Sequence, residues 1–343
     1  MSRVMTSLTD LAERADRGVR ARLTHDPSSP VVTAARSLMA LGTAITLLAN
    51  DSSVLFHRYD PAGDPAAQCA GLARIGAFCA AGVENGDVVR LILAGVLLAA
   101  AVGFAPRYTA PLQWYASFSV FSGIVPMDGG DQITAVLCFL LMIHSIADGR
   151  LWGWSLARRP SSLKFVFPNV LYLLFPLQLA VVYFDAGVAK VGSQPWAQGD
   201  AMWYWMQHPA FGAPDWLEPG MLALLANPLL SALATWGVLV FEISLAATLF
   251  SRHFRLRLAM LVAGIVFHIG IAVVIGLVSF AFAMSAGLVL GFIRSDESER
   301  VAALLHRALA RRQRKDGGHL AEGRHCAPSD KALKSDLEPV RAV

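Results

Sequence analysis

Residues Tyr183–Gly212 read YFDAGVAKVGSQPWAQGDAMWYWMQHPAFG. They close an apolar run, Phe165–Val182, that is long enough to enter a bilayer, and they place Asp185 and Lys190 ahead of any turn signal. The segment that follows, to Pro228, carries Trp196, Trp203, Trp205 and Trp216 and contains no Lys or Arg. A charge inside a hydrocarbon-buried helix is costly, which makes Lys190 a functional candidate. A Lys at a helix end can also snorkel to the headgroups, where Trp and Tyr belts gather. At this level function and interfacial anchoring both stand.

The bulk composition sets the class. Of 343 residues 55% are hydrophobic and only 16% charged, against roughly 45–50% and about 25% in ordinary soluble domains. Several runs approach or reach the ~20 apolar residues that cross a bilayer as helix. The chain therefore reads as a polytopic, all-α transmembrane bundle. A formal charge of +4 gives no footprint for nucleic acid. The first apolar run begins near Val31 with no small-residue cleavage site after it, and so reads as a first span, not a signal peptide.

Further spans are expected at 88–105 (ended by Pro106), 111–126, 132–147, 165–190 (kinked at Pro168 and Pro176), 229–250 and, as two helices with a turn near 276–279, 256–292. Intervening loops alternate between basic and acidic, and basic loops face the cytoplasm. Eight helices with both termini inside satisfy every loop. That arrangement divides the chain into a cytoplasmic segment 1–30, a membrane domain 31–293 and a basic, partly disordered tail 294–343. In the first segment Leu8, Leu11, Ala12, Ala15 and Val19 fit one helical stripe. The loop 51–87 and the Trp-rich segment between the fifth and sixth spans fall on the outer side.

Cys69 and Cys79 share that outer loop, where disulfides persist. A bridge would close about ten residues and contribute roughly 3 kcal/mol on the chain-entropy account. Their spacing is not C-x-x-C, which favours a structural clip over a thiol-exchange centre. Cys138 is mid-helix and reads as packing; Cys326 reads as a free thiol in the tail. Glu242 in the sixth span and His268 in the seventh are polar groups that need partners. With Lys190 they point to a shared pocket. Asp185 and Lys190, five apart, sit about 140° apart around a regular helix, so Asp185 is expected to pair elsewhere. No nucleotide loop, zinc-protease helix, serine elbow or metal-ligand cluster is present in the sequence.

The run YFDAGVAKVGSQPWAQGDAMWYW with HPAFG resembles the Lys-bearing block of HTTM-domain membrane proteins, relatives of vitamin K-dependent γ-carboxylase. FHIGIAVVIGLVSFAFAM and FEISLA are similar to that family's later helices. Within the superfamily QCAGLARIGAFC, DGGDQ and HSIADGRLWGW resemble the SdpB-type sporulation-delaying proteins. The resemblance spans roughly residues 31–293. It implies that Lys190 is a candidate base, a neutral amine having the lone pair to take a proton; Ala189 stands where the carboxylase block has another Lys. With Glu242 and His268 as partners, Lys190 would sit in an outward-facing pocket formed with Tyr183, Asp185 and Gly199 and roofed by Trp196, Trp203, Tyr204 and Trp205.

The function implied by the SdpB-type likeness is maturation of a secreted, toxin-type peptide at a bacterial inner membrane, with a small partner protein. The carboxylase likeness implies instead an enzyme using a reduced quinone. A non-catalytic transporter or immunity protein is the third reading.

Overall fold

A computed structural model describes residues 16–301 apart from 22, 57–68, 125–127, 156–158, 210, 295–296 and 299. The stripe expected from Leu8 to Ala15, and the tail with Cys326, lie outside the described residues. Every regular element among the described residues is helical, with one isolated β-bridge, Phe104 to Trp152. Those used below are α1 (Pro30–Ala49), α2 (Gly86–Ala101), α3 (Pro106–Gly123), α4 (Gly129–Ser145), α5 (Val166–Tyr172), α6 (Leu174–Val191), α7 (Gln194–Gln198), α8 (Ala201–Met206), α9 (Glu218–Leu225), α10 (Pro228–Leu249), α11 (Phe254–Ile275) and α12 (Val278–Phe292). Four stretches are long and apolar enough to cross a membrane: α1, α10, α11 and the run Leu163–Val191 that contains α5 and α6. The apolar helices α4 and α12 are shorter.

The largest boundary differences from the sequence expectation are at the second and third helices. The third helix starts at Pro106, not Pro111, because Pro106 occupies the first helical turn, where its missing N–H costs nothing. Pro111 lies inside α3. The second helix ends at Ala101, and Gly103 turns the chain with φ +83°. The expected kink in the fifth span is a break: Pro176 cannot donate to the Tyr172 carbonyl, and Leu173 closes a tighter turn onto Val170 at 3.1 Å.

Lipid as solvent explains the surface. On α11 the exposed residues Val262, Val266, Ile269 and Val273 form a stripe, as do Leu177, Val181, Phe184, Val188 and Val191 on α6. Apolar residues that line the outside at helical spacing belong against hydrocarbon. The interior is built from small residues. Helix α12 buries Ala281, Ala283, Ser285, Ala286, Gly287 and Gly291 and packs against α1, α4, α6 and α11. A Cβ at Gly130 would lie 2.6 Å from the Phe280 Cα, so α4 and α12 touch through backbone. Asp128 caps α4 by accepting from the Asp131 amide and also accepts from the Ser279 hydroxyl.

The chain ahead of α1 is fastened to the loop between α4 and α5. Arg159 donates to both carboxylate oxygens of Asp26, at 2.8 and 3.1 Å, and to the Ala147 carbonyl at 2.6 Å. Asn169 donates to the Leu23 and His25 carbonyls. At the other end Cys69 and Cys79 form the expected disulfide, ten residues apart, beside a cluster in which Phe78 packs among α1, α2 and α3.

Burial alone would raise the Asp26 carboxyl; hydrogen bonds from Arg159 and Ser28 outweigh it and hold the group at about 2. The sign follows: the stabilisation is complete above the ordinary carboxylate value of 3.8 and is lost as pH falls through about 2. Protection factors of the amides in residues 161–165, taken against the intrinsic exchange rate at each pH, should therefore fall below that value in wild type, and Asp26→Asn should remove this pH dependence. Separately, Gly130→Ala should lower stability by about 1–3 kcal/mol, since the backbone facing it cannot yield. Gly95→Ala, which meets nothing within 4 Å, should be neutral or favourable in thermal unfolding.

Candidate functional site

The last turn of α6 carries Lys190, and the amine forms an ion pair with the Glu242 carboxylate of α10. Side-chain exposure is 22% for Lys190 and 10% for Glu242, so neither charge is left to bulk water. On the other side the Lys190 amine lies 5.3 Å from the centre of the Trp196 ring, a cation–π contact. Trp196 is itself fixed: its carbonyl accepts from the Trp236 indole at 3.0 Å. Gly199, at φ +84°, lets α7 turn back into α8 against α10; a Cβ there would press on Ala232 and Trp236 at 3.2 Å.

The pair forms one wall of a cavity of about 390 Å³ bounded by α4, α6, α10, α11 and α12. His268 and Tyr183 supply two further polar groups. The His268 Nδ1 lies 2.7 Å from the Gly264 carbonyl. A carbonyl only accepts, so that nitrogen carries the proton and, in the neutral ring, Nε2 keeps its lone pair. Tyr183 is buried, its hydroxyl has no hydrogen-bond partner among the described residues, and its ring centre is 6.2 Å from that of His268. Of the lining residues on α4 and α6, Gln132, Val136, Val181 and Asp185 are exposed, so the cavity opens between these two helices. The arrangement offers a charge pair, a hydroxyl donor and an imidazole acceptor on apolar walls of Ile133, Val182, Phe280 and Met284.

Five expected residues thus meet: Lys190, Glu242, His268, Tyr183 and Asp185 line the same space. Asp185 is at its exposed edge and forms no ion pair among the described residues. The aromatic roof differs from expectation. Trp196 touches the Lys190 amine, but Trp203, Tyr204 and Trp205 do not line the cavity. The short helix α8 turns Tyr204 and Trp205 outward; Trp205 stacks on His208, which stacks on Phe211. Sequence reading overlooked Gln132 and Gln178, although an amide within an apolar run was the available signal. It also overlooked Arg36, 1% exposed within α1, which donates to the Gln113 side-chain oxygen at 3.1 Å and to the Thr109 hydroxyl at 3.0 Å.

Residues 133–296 match the HTTM domain. Sporulation-delaying protein SdpB of Bacillus subtilis (strain 168) is 31% identical over 276 residues, 78% of this chain and 82% of its own. The chain belongs to the SdpB family of HTTM-domain proteins. Another Bacillus subtilis (strain 168) relative, the uncharacterized protein YitO, is 30% identical over 303 residues, 85% of this chain and 94% of its own. No solved structure matches. As in the sequence reading, this SdpB-family chain is a membrane protein with a disulfide.

Removing one charge strands the other. Lys190→Met or Glu242→Gln alone should destabilise the protein by roughly 1–3 kcal/mol, less than the ~3–5 kcal/mol of a fully buried pair because part of Lys190 remains accessible. The double variant should cost less than the sum of the two, as read by thermal unfolding in one detergent.

Proposed function

We propose that this protein is an integral-membrane factor for maturation of an exported peptide, and that the Lys190–Glu242 cavity is where it acts. The observation that carries the reading is the place of the amine: Lys190 turns to a carboxylate and an aromatic face at a cavity wall, not outward to headgroups. Membership of the family that contains a sporulation-delaying protein supports the same reading. A cavity opening between α4 and α6 suits a substrate that arrives along the membrane, as an apolar exported peptide would.

In this reading Lys190 is the group that takes or gives a proton, Glu242 orients it and balances its charge, and His268 Nε2 and the Tyr183 hydroxyl hold the substrate. Asp185 stands at the entrance. Trp196 and Gly199 fix the amine's position, and the exposed aromatics of α8 meet the peptide or a small partner protein outside. The carboxylase likeness keeps a reduced quinone as the alternative occupant; the apolar walls around the charge pair are the feature that would receive it.

The topology that goes with this function has eight spans: α1 to α4, α5 with α6, then α10, α11 and α12. Both termini are cytoplasmic at the bacterial plasma membrane, and segments 1–30 and 294–343 flank a single membrane domain, 31–293. Three features support it: the alternating loop charge, the Cys69–Cys79 disulfide on a loop assigned to the oxidising side, and the Asp26–Arg159 contact between two segments assigned to the other.

The test is a chromosomal Lys190→Met substitution with secreted peptides profiled by mass spectrometry. At wild-type protein levels mature peptide should fall by about 10²-fold or more, the scale of lost general acid–base chemistry, and Lys190→Arg should not restore it. Wild-type output from Lys190→Met removes the chemical role. Processed peptide retained inside the cell would identify a transporter instead.

A further inference from the structure

A second and larger cavity, of about 520 Å³, lies at the opposite end of α6 from Lys190. Its walls include Val19, Leu23, Pro176, Leu249, Phe250 and Leu290, and Arg294 stands at its edge. Two of the polar side chains around it are engaged with backbone: Tyr172 donates to the Ile293 carbonyl at 3.0 Å, and the Asn169 amide nitrogen donates to the Leu23, His25 and Phe165 carbonyls, while the Asn169 side-chain oxygen and the His25 ring add polar atoms to the lining. The walls are mostly apolar, and the volume is that of a small-ligand site.

Its rim is cationic. The Ser251 carbonyl, next to Phe250, accepts from both Arg294 at 3.0 Å and Arg257 at 2.9 Å. Arg257 is buried and neutralised by Glu297. Arg252 and Arg294 are exposed, and neither has a carboxylate partner among the described residues. One guanidinium without a carboxylate partner at the lip of the chamber, Arg294, and a second, Arg252, two positions along the chain from the wall residue Phe250, match a molecule with an anionic head and a hydrocarbon tail. A free phosphate would leave the chamber without a purpose, and a neutral lipid would leave the arginines without one.

We propose that this cavity is a binding site for an anionic phospholipid, with an acyl chain between α6, α10 and α12 and the phosphodiester held by Arg252 and Arg294. Guanidinium groups grip phosphate through paired N–H donors, and the basic loops place this rim on the leaflet where anionic headgroups attract Lys and Arg. The site is separate from the Lys190 cavity and does not depend on what that cavity does.

Native mass spectrometry of the full-length protein tests it, with dioleoyl phosphatidylglycerol and dioleoyl phosphatidylcholine as probes. Wild type should retain phosphatidylglycerol preferentially. Arg252→Gln with Arg294→Gln should reduce that retention by about tenfold or more. Leu173→Trp, which places an indole at the exposed edge of the chamber without changing charge, should reduce it as well. Equal retention of the two lipids by wild type overturns the proposal. So does a loss with the arginine variant that Leu173→Trp fails to reproduce, since that result assigns the binding to surface charge. Variants are compared at equal yields of folded protein, judged by circular dichroism and elution volume. If the double arginine variant does not fold, Arg252→Gln alone is scored by the same two criteria.

Discussion

The contact between Lys190 and Glu242 is the constraint to which this end of the helical bundle answers. A cation on one helix and an anion on another, 52 positions apart in sequence, hold α6 beside α10 at one register. Sliding either helix by a turn, about 5.4 Å, would part the charges and leave each in a poor solvent. The segment after α6 is shaped by the same demand. Trp196 covers the amine, Gly199 turns the chain, and the hydroxyls of Ser231 and Thr235 on α10 bind the Gly199 carbonyl and the Met202 amide. What reads in sequence as an aromatic loop is a pair of short helices fastened to α10.

The chain treats its buried cations in three ways, and the differences are informative. Arg257 is closed off by Glu297 and by the Phe292 and Ser251 carbonyls, a saturated arrangement with nothing left to react. Arg36 is held by neutral groups, the Gln113 side chain and the Thr109 hydroxyl, which tie α1 to α3, and its Nη1 has no hydrogen-bond partner among the described residues. Lys190 alone of the three borders a cavity. A structural tie suits a guanidinium, whose fixed fork engages several acceptors at once; an ammonium is a compact charge on a flexible stem. The residue type and the open space beside it agree with each other.

Much of the fold was legible because lipid leaves few options. With no water to bind backbone groups, an apolar run of adequate length must be helical, and this holds for α1, α10 and α11. Helix ends were less legible where proline was ambiguous. Pro106 can stop one helix or start the next, and only packing across α2 and α3 decides it. Near the cavity, the sequence marked Lys190, Glu242 and His268 as costly residues but carried no information on distance. The exclusion of Asp185 as the partner of Lys190 followed from helical phase. The choice of Glu242 did not, because it depends on how α6 and α10 lie side by side. The aromatic roof failed for a related reason: composition groups Trp203, Tyr204 and Trp205, whereas a short helix points neighbouring side chains in different directions.

Helix α6 borders both cavities, Leu173 and Pro176 at one, Gln178, Tyr183 and Lys190 at the other. Between Pro176 and Lys190 the helix rises about 21 Å. The contact between α6 and α12 in the layer between is tight: a Cβ at Gly287 would be 3.1 Å from Leu179 and one at Gly291 3.0 Å from it. Glycines at such contacts let backbones approach until no passage remains. A transport route between the chambers would have to separate α6 from α12 along this seam, losing its closest contacts. The proposed chemistry at the Lys190 cavity requires no such opening. The tight seam therefore supports the proposed chemistry at the Lys190 cavity over a transport route through the bundle.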